Sequence, residues 1–404
     1  MNETRPTTVL CLASYEKGAE FMRECKRQGA RVLLLTSQSI ADADWPRESL
    51  DEVFLIPDEN KKWRLNDVIK GVSYLARREL IDRIVALDDF DLEMAAALRE
   101  HLRLPGLGDS TTRYFRDKLA MRMRAVEAEA LVPDFVHVLN YDAVRSFTER
   151  VPPPWLLKPR FEASASGIVK IKSAVELWPE IEKLGDKQSF YLIEAFVPGH
   201  IYHVDSIVVD REVRFATASL YGSPPLDVAQ HGGIFTSSLV PYESTDEQAL
   251  LAMNREILRA CGLRRGVSHT EFIKAHEDGR FYFLETSARV GGAYIVELVE
   301  AASGVNLWAE WAKIEITTGE NSYQLPVPRR DYAGLLVSLA RQECPETSTF
   351  NDPEIVWRLK KRNHVGFIIA SPDCERVSVL LKDYMLRVQR DFFATQPQTQ
   401  RPCS

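Results

Sequence analysis

The chain has 404 residues, 45% of them hydrophobic and 27% charged, with a net charge of −7; this is the composition of a globular protein with room for two or three domains. The basic clusters are short (Arg77-Arg78, Arg264-Arg265, Lys360-Lys361-Arg362) and read as solvated faces, so nucleic-acid binding is not expected. Six cysteines without C-x-x-C spacing argue against a zinc site or a disulfide framework, and no apolar run suits a signal peptide or a membrane span, so a cytoplasmic protein is expected.

Thr8–Ser14 and Arg31–Thr36 are apolar runs suited to buried parallel strands. Between them Lys17–Gln28 reads as a helix closed by Gly29. Glu52–Ile56, a helix over Leu65–Leu80, Arg83–Leu87 and a helix over Leu92–Leu102 continue the alternation, which predicts an open parallel α/β sheet over residues 1–108. Ser14-Tyr15-Glu16-Lys17-Gly18 follows the first strand, not G-x-G-x-x-G. The domain therefore reads as a scaffold or substrate half-site instead of a dinucleotide site. Asp88, Asp89 and Asp91 lie just past a strand end, where open sheets bind ligands, with Asp91 expected as a helix N-cap. Leu104–Gly108 breaks the pattern and marks a boundary.

Asp109 or Ser110 is expected to cap a helix running through Ala130, with Arg116, Lys118 and Arg122 along it. Lys118 alone reads as solvent-exposed, but a second lysine closes the short strand Leu156-Leu157-Lys158-Pro159. A small-residue turn follows, Ser164-Ala165-Ser166-Gly167, of the kind that lets backbone N–H groups approach phosphate oxygens. Tyr191–Val197 is a strand ending in Glu194 and three apolar residues. Glu194 or the Ala195 carbonyl could accept from an adenine amino group, and the Val197 amide could donate to a ring nitrogen. In the next strand, Tyr202–Val209, His203 and Asp205 share one face.

Ser268–Glu297 reads SHTEFIKAHEDGRFYFLETSARVGGAYIVE, two alternating runs around a Glu277-Asp278-Gly279 turn. A three-residue loop with Gly279 left-handed puts Glu271 opposite Glu285. A two-residue turn would send them to different faces, so the facing requires an odd loop or a bulge. Facing carboxylates repel unless a cation lies between them, and a divalent metal is the natural candidate. Arg289, Gly291-Gly292 and a helix from Tyr294 to Ser303 follow, a suitable place for anionic groups.

The order Lys118, Lys158-Pro159, Ser164–Gly167, Glu194–Val197, Asp205, Glu271 and Glu285-x-x-x-Arg289 resembles the ATP-grasp superfamily over about Gly106 to Thr318. The resemblance implies ATP held between two α+β subdomains within residues 109–320, the smaller at about 133–197. Lys118 and Lys158 would bind the α- and β-phosphates, and Ser164, Ser166 and Gly167 would close over the β- and γ-phosphates. Glu194, Ala195 and Val197 would read adenine, while Glu271 and Glu285 would hold Mg2+, with Mn2+ as an alternative. Arg289, with the Gly291 and Gly292 amides, would stabilise the reacting groups. Two positions depart from the pattern. Many members carry an acidic ribose ligand where this chain has Ile201, so His203 or Asp205 would substitute. Many have Asn where this chain has Ser287, a weaker metal ligand.

HTEF, FLETSARVGG and GHIYHVDSIV look most like the L-amino-acid ligases. The implied activity joins a carboxylate to an amine, both small molecules and expected to be amino acids, through an acyl phosphate. His231-Gly232-Gly233-Ile234 would be a flexible substrate loop, or else a plain connection. Two rival readings are a biotin-carboxylase-like subunit and a non-catalytic ATP-binding module. Residues 321–394 resemble the small C-terminal region of those ligases, 395–404 read as a disordered tail, and exposed apolar surface on the first domain leaves room for a homodimer.

Overall fold

The structure is a computed structural model and describes residues 5–162, 166–226, 228, 232–317 and 323–395. Thr8–Ala13 (β1), Arg31–Ser37 (β2), Glu52–Ile56 (β3) and Arg83–Ala86 (β4) form a parallel sheet in the order β3-β2-β1-β4. β1 is buried along its whole length, as a continuous apolar run in a covered parallel sheet should be. Helices Ala19–Arg27 and Leu65–Leu75 supply the β1–β2 and β3–β4 crossovers, 3-10 turns link β2 to β3, and the helix Leu92–Leu102 follows β4; Gly29 leaves the first helix with φ 77°.

Two local expectations are corrected. Asp91 makes no side-chain cap bond to its helix. A 3-10 turn over Asp89–Asp91 precedes that helix and the Asp91 carboxylate instead accepts the Ser14 N–H at 2.9 Å; the cap bond at this corner runs from the Phe90 N–H to Asp88, 3.1 Å. The single helix expected from Asp109 to Ala130 is broken into Asp109–Thr112, a 3-10 turn Arg113–Phe115, and Lys118–Glu127. Asp117 restarts it by accepting the Leu119 N–H at 3.0 Å, which makes Lys118 the first residue of a new helix.

The smaller antiparallel sheet contains Phe135–His137 (β5), Trp155–Pro159 (β6), Val169–Ile171 (β7) and Tyr191–Ala195 (β8), in the order β5-β8-β6-β7. Val144, Phe147, Leu177 and Ile181 from its two helices pack on Trp155, Leu157 and Ile193. The larger sheet has eight strands. Gly199–Val209 (β9), Glu212–Tyr221 (β10), Phe235–Leu239 (β11), Gly266–Ala275 (β12) and Phe281–Ser287 (β13) are joined by Tyr332–Leu339 (β14), Ile355–Arg358 (β15) and His364–Ser371 (β16). The order is β13-β12-β9-β10-β11-β14-β16-β15, so the C-terminal strands extend the same sheet. One core runs from the first domain into the larger sheet, where Phe21 meets Trp311 edge-on at 5.1 Å. Among the described residues no helix is long and apolar enough to cross a membrane.

Glu271 does face Glu285 in the β12–β13 ladder, by a different route from the expected turn. The loop spans four residues, since the Ala275 N–H bonds the Arg280 carbonyl at 2.9 Å. An even loop would misalign the pair, but a register shift between Glu271 and Phe272 inserts Leu284 as a bulge and restores the facing.

Burial, and after it the charge of Asp88, pushes the Asp91 carboxyl up to about 7, against about 3.9 for a free aspartate. Between those values the folded chain holds a proton that the unfolded chain has lost. This contribution to stability is therefore full below pH ~4 and lost as pH rises through ~7. We predict that Asp91→Asn, which keeps an acceptor for the Ser14 amide, raises the urea midpoint at pH 8 and leaves it little changed at pH 4. A variant less stable than the parent at pH 8 would contradict this.

Candidate functional site

Between the smaller sheet and the β12–β13 edge of the larger one lies a cavity of about 420 Å³, within the range of small-molecule sites. Ten of the residues singled out above line it: Lys118, Lys158, Ser166, Glu194, Ala195, Val197, Glu271, Glu285, Arg289 and Gly292. Leu284 and Glu285 both line it although they are consecutive, because the bulge suspends the strict alternation of a strand.

Each of the cations Lys118, Arg122, Lys158 and Arg289 has an opposite partner. Lys158 donates to Glu194 Oε1 at 2.5 Å and Arg122 donates to Glu194 Oε2 at 2.7 Å, with all three side chains buried. Burial lowers Lys158 to about 8, with Glu194 acting against that shift. For Glu194 burial acts upward, and Arg122 and Lys158 overcome it to hold the carboxyl below its usual range. Lys118 Nζ bonds the Glu162 carbonyl at 2.7 Å and Glu285 Oε2 at 2.9 Å. It thus ties the metal candidate Glu285 to the backbone at Glu162. Arg160 grips Asp117, with its Nε 2.8 Å from Oδ1, and the Lys118 N–H bonds the Arg160 carbonyl at 3.0 Å. Tyr221 donates to Glu271 Oε1 at 3.0 Å.

The remaining candidates stand elsewhere. His203 and Asp205 are fully buried and do not line the cavity. Their polar atoms are engaged by one another at 2.7 Å, by Ser237 at 2.7 Å from the His203 Nε2, and by the His269 Nδ1 at 2.9 Å from Asp205. A ribose contact from either would require that string to come apart. The Ser287 hydroxyl donates to Asp89, and Ser287 does not line the cavity. Gly291 lies behind the cavity wall: a Cβ there would come within 2.9 Å of Asp205 Oδ1 and 2.7 Å of an Ile295 methyl. Gly167 is exposed and does not line the cavity. Ser164 and His231 lie outside the described residues.

Three residues of the site carried no assigned role in the sequence, and a fourth, Asp89, stood out only by its place at a ligand-binding strand end. Arg122 follows Lys118 by four positions, the one-turn spacing that puts both on one helix face, and that signal was available. His269 is two residues before Glu271 and so shares its face; Asp205 outweighs the effect of burial and raises it to about 9. Tyr221 sits on another strand. Asp89 accepts from Arg289 Nε at 2.7 Å, a contact between residues 200 apart in the chain.

No protein-family model matches the chain. An L-arginine-specific L-amino acid ligase of Bacillus subtilis is 23% identical over 253 residues, 61% of this chain and 60% of that protein; the match thus spans less than two thirds of its length. The crystal structure of an L-amino acid ligase from Bacillus licheniformis superposes with a TM-score of 0.76 at 16% identity, covering 97% of this chain and all of the other. The biotin carboxylase domain of Hydrogenobacter thermophilus 2-oxoglutarate carboxylase, solved with MgADP, ADP and bicarbonate, gives 0.72 at 15% identity over 95% of this chain and 90% of that one. At these identities the structural matches establish the fold.

Removing one partner of a buried ion pair typically costs about 3–5 kcal/mol, because the other charge stays buried without it. Glu194→Ala would strand two cations. We predict a loss of about that size in urea denaturation; a loss below ~1 kcal/mol would mean that both cations find water and would contradict a buried ion-pair cluster.

Proposed function

Because the chain is a member of the ATP-grasp superfamily, we propose that it is an ATP-dependent ligase that joins a carboxylate to an amine, with amino acids as the substrate class. The observation that carries this reading is the facing pair Glu271 and Glu285 in one cavity with Lys118, Lys158 and Arg289. The B. subtilis relative, named as an L-amino acid ligase, points the same way.

In this reading adenine lies between the Ala195–Val197 strand end and the apolar side chains Leu156, Ile273 and Leu284 of the cavity. The Glu194 carboxylate is committed to Lys158 and Arg122, so the Ala195 carbonyl becomes the better acceptor for the adenine amino group. Lys158 and Lys118 contact the phosphates, and the turn containing Ser166 closes over them and keeps water out. The donor set suits magnesium: two carboxylates of hard oxygens, each with one oxygen held by a neighbour, Glu285 Oε2 by Lys118 and Glu271 Oε1 by Tyr221. Bound there with the nucleotide, magnesium would neutralise charge on the terminal phosphates.

The substrate carboxylate then attacks the γ-phosphate in line, releasing ADP and forming an acyl phosphate; the amine displaces phosphate through a tetrahedral oxyanion. What the protein contributes is positioning and charge. Arg289, oriented by Asp89, and the Gly292 amide stand where they can donate to that oxyanion, and such a donor is worth about 3–4 kcal/mol.

Phosphate release separates the readings. A ligase requires ATP with two amino-acid substrates, a carboxylase requires bicarbonate, and a binding module releases none. We further predict that Glu285→Gln reduces ADP formation at least 100-fold while the urea midpoint stays near the parent's. Glu285 is more than a third exposed and glutamine can still accept from Lys118. Parent-like turnover in this variant would remove the metal assignment.

A further inference from the structure

One short segment of chain borders two openings. Gly292, Ala293 and Ile295 line the cavity described above, whereas Tyr294 and Glu297 line a separate, open groove of about 780 Å³ against the edge strand β15. Ala293 and Tyr294 stand at φ 51° and 66°, consecutive left-handed residues that both carry side chains, a backbone state L-residues rarely take. The Tyr294 ring packs on Trp357 of β15, with centroids 4.9 Å apart. Glu297 follows Tyr294 by three positions and so lies one turn along the same face of the helix Ile295–Ser303. Among the described residues no cation acts on its carboxyl: burial, then the charges of Glu300 and Glu20, push it up. The strand side of the groove carries the opposite sign. Arg358 there is engaged by the Thr347 carbonyl at 3.1 Å and by that of Phe350, and Lys360 and Lys361 follow it along the groove.

We propose that this groove is a second, non-catalytic binding site for a small zwitterion, its ammonium on Glu297 and the Tyr294–Trp357 rings and its carboxylate on Lys360, and that occupancy alters turnover in the neighbouring cavity through Ala293 and Tyr294. Aromatic faces beside a carboxylate suit an ammonium group. A ligand with only a positive charge would be repelled at the lysine end, and one with only a negative charge would be repelled by Glu297 and Glu300. Both charges on one molecule match both ends. A free amino acid and a dipeptide share this chemistry and differ in the distance between their charges. A ligand packed on Tyr294 that favours one arrangement of the 292–294 backbone also sets where the Gly292 amide lies. The binding site stands on the groove alone; its effect on turnover rests on the ligase reading.

The test is calorimetry on the full chain with phenylalanine and alanyl-phenylalanine, and with phenethylamine and phenylpropionate as single-charge controls, in the parent, Glu297→Gln and Lys360→Ser. Lys360 is exposed, so its replacement leaves the core untouched. At least one zwitterion should bind the parent about tenfold tighter than either control, and each variant should weaken that binding about tenfold; which zwitterion does so decides between amino acid and dipeptide. ADP release from ATP with amino-acid pairs should respond to the same zwitterion in the parent and not in the variants, whose basal rates stay at the parent's. Binding that both variants lose, with no ADP release from any pair, would uphold the site and overturn the ligase reading. ADP release together with binding that is the same in parent and variants would overturn the site and leave the ligase reading standing. Binding that the variants lose while turnover still responds as in the parent would overturn the coupling. A control that binds as tightly as both zwitterions, or no binding by any of the four, would overturn the proposal outright.

Discussion

Like charges held directly opposite one another in neighbouring strands repel, and the site is built around an instance of that, Glu271 facing Glu285. Each member is met by its own donor: Lys118 for Glu285, and Tyr221 with His269 nearby for Glu271. Lys118 is the more consequential of these, because its position depends on a helix that begins at it. Asp117 caps that helix and also holds Arg160, and Lys118 itself reaches back to the Glu162 carbonyl. The Glu162 carbonyl, the lysine and the Glu285 carboxylate are therefore linked through one ammonium group.

A second constraint explains why an α/β domain without a dinucleotide fingerprint is attached to this site. Asp89 stands past the end of β4 and pairs with Arg289 beyond β13, and it also takes the Ser287 hydroxyl. Burial acts to raise its carboxyl, but Arg289, then Arg116 and Ser287, hold it below the ordinary range. The guanidinium is thereby oriented by the fold itself, which is the preorganisation that the proposed role of Arg289 as an oxyanion donor would call for. The first domain thus supports a residue of the wall without lining the cavity itself.

The elements that could be read in the sequence are those whose burial is written locally. β1, β2 and β4 are apolar runs because both faces of a parallel sheet are covered, and the facing of Glu271 and Glu285 follows from period-two alternation once the register is known. The bulge at Leu284 supplied that register where the turn did not, and a bulge leaves no signature that distinguishes it from an odd loop. Period two also places His203 and Asp205 on the same face as Glu271, but it carries no information on depth. The larger sheet covers them with Tyr221 and Ser237 from β10 and β11. Pairs such as Asp89–Arg289 and Arg122–Glu194 join residues far apart in the chain, and no local pattern encodes them.

The buried string behind the site illustrates how the same residues admit two chemistries and how geometry chooses between them. His203, Asp205 and His269 are close enough together to hold a metal ion. The carboxylate is already bridged on both oxygens, by His203 Nδ1 at 2.7 Å and by His269 Nδ1 at 2.9 Å, and a metal would have to displace the hydrogens that make those bonds. Burial disfavours a charged His269, yet Asp205, followed by Glu271, raises it to about 9, so the proton stays at neutral pH. The string is then a set of hydrogen bonds ending in an imidazolium beside Glu271, whose ring cannot turn because Asp205 cannot. Across the cavity floor the order of charge is cation, carboxylate, carboxylate, cation, from His269 through Glu271 and Glu285 to Lys118. Burial acts to raise the Glu285 carboxyl, but Lys118 holds it below its usual range, and an ionised carboxylate is the state in which oxygen donors bind a hard divalent cation.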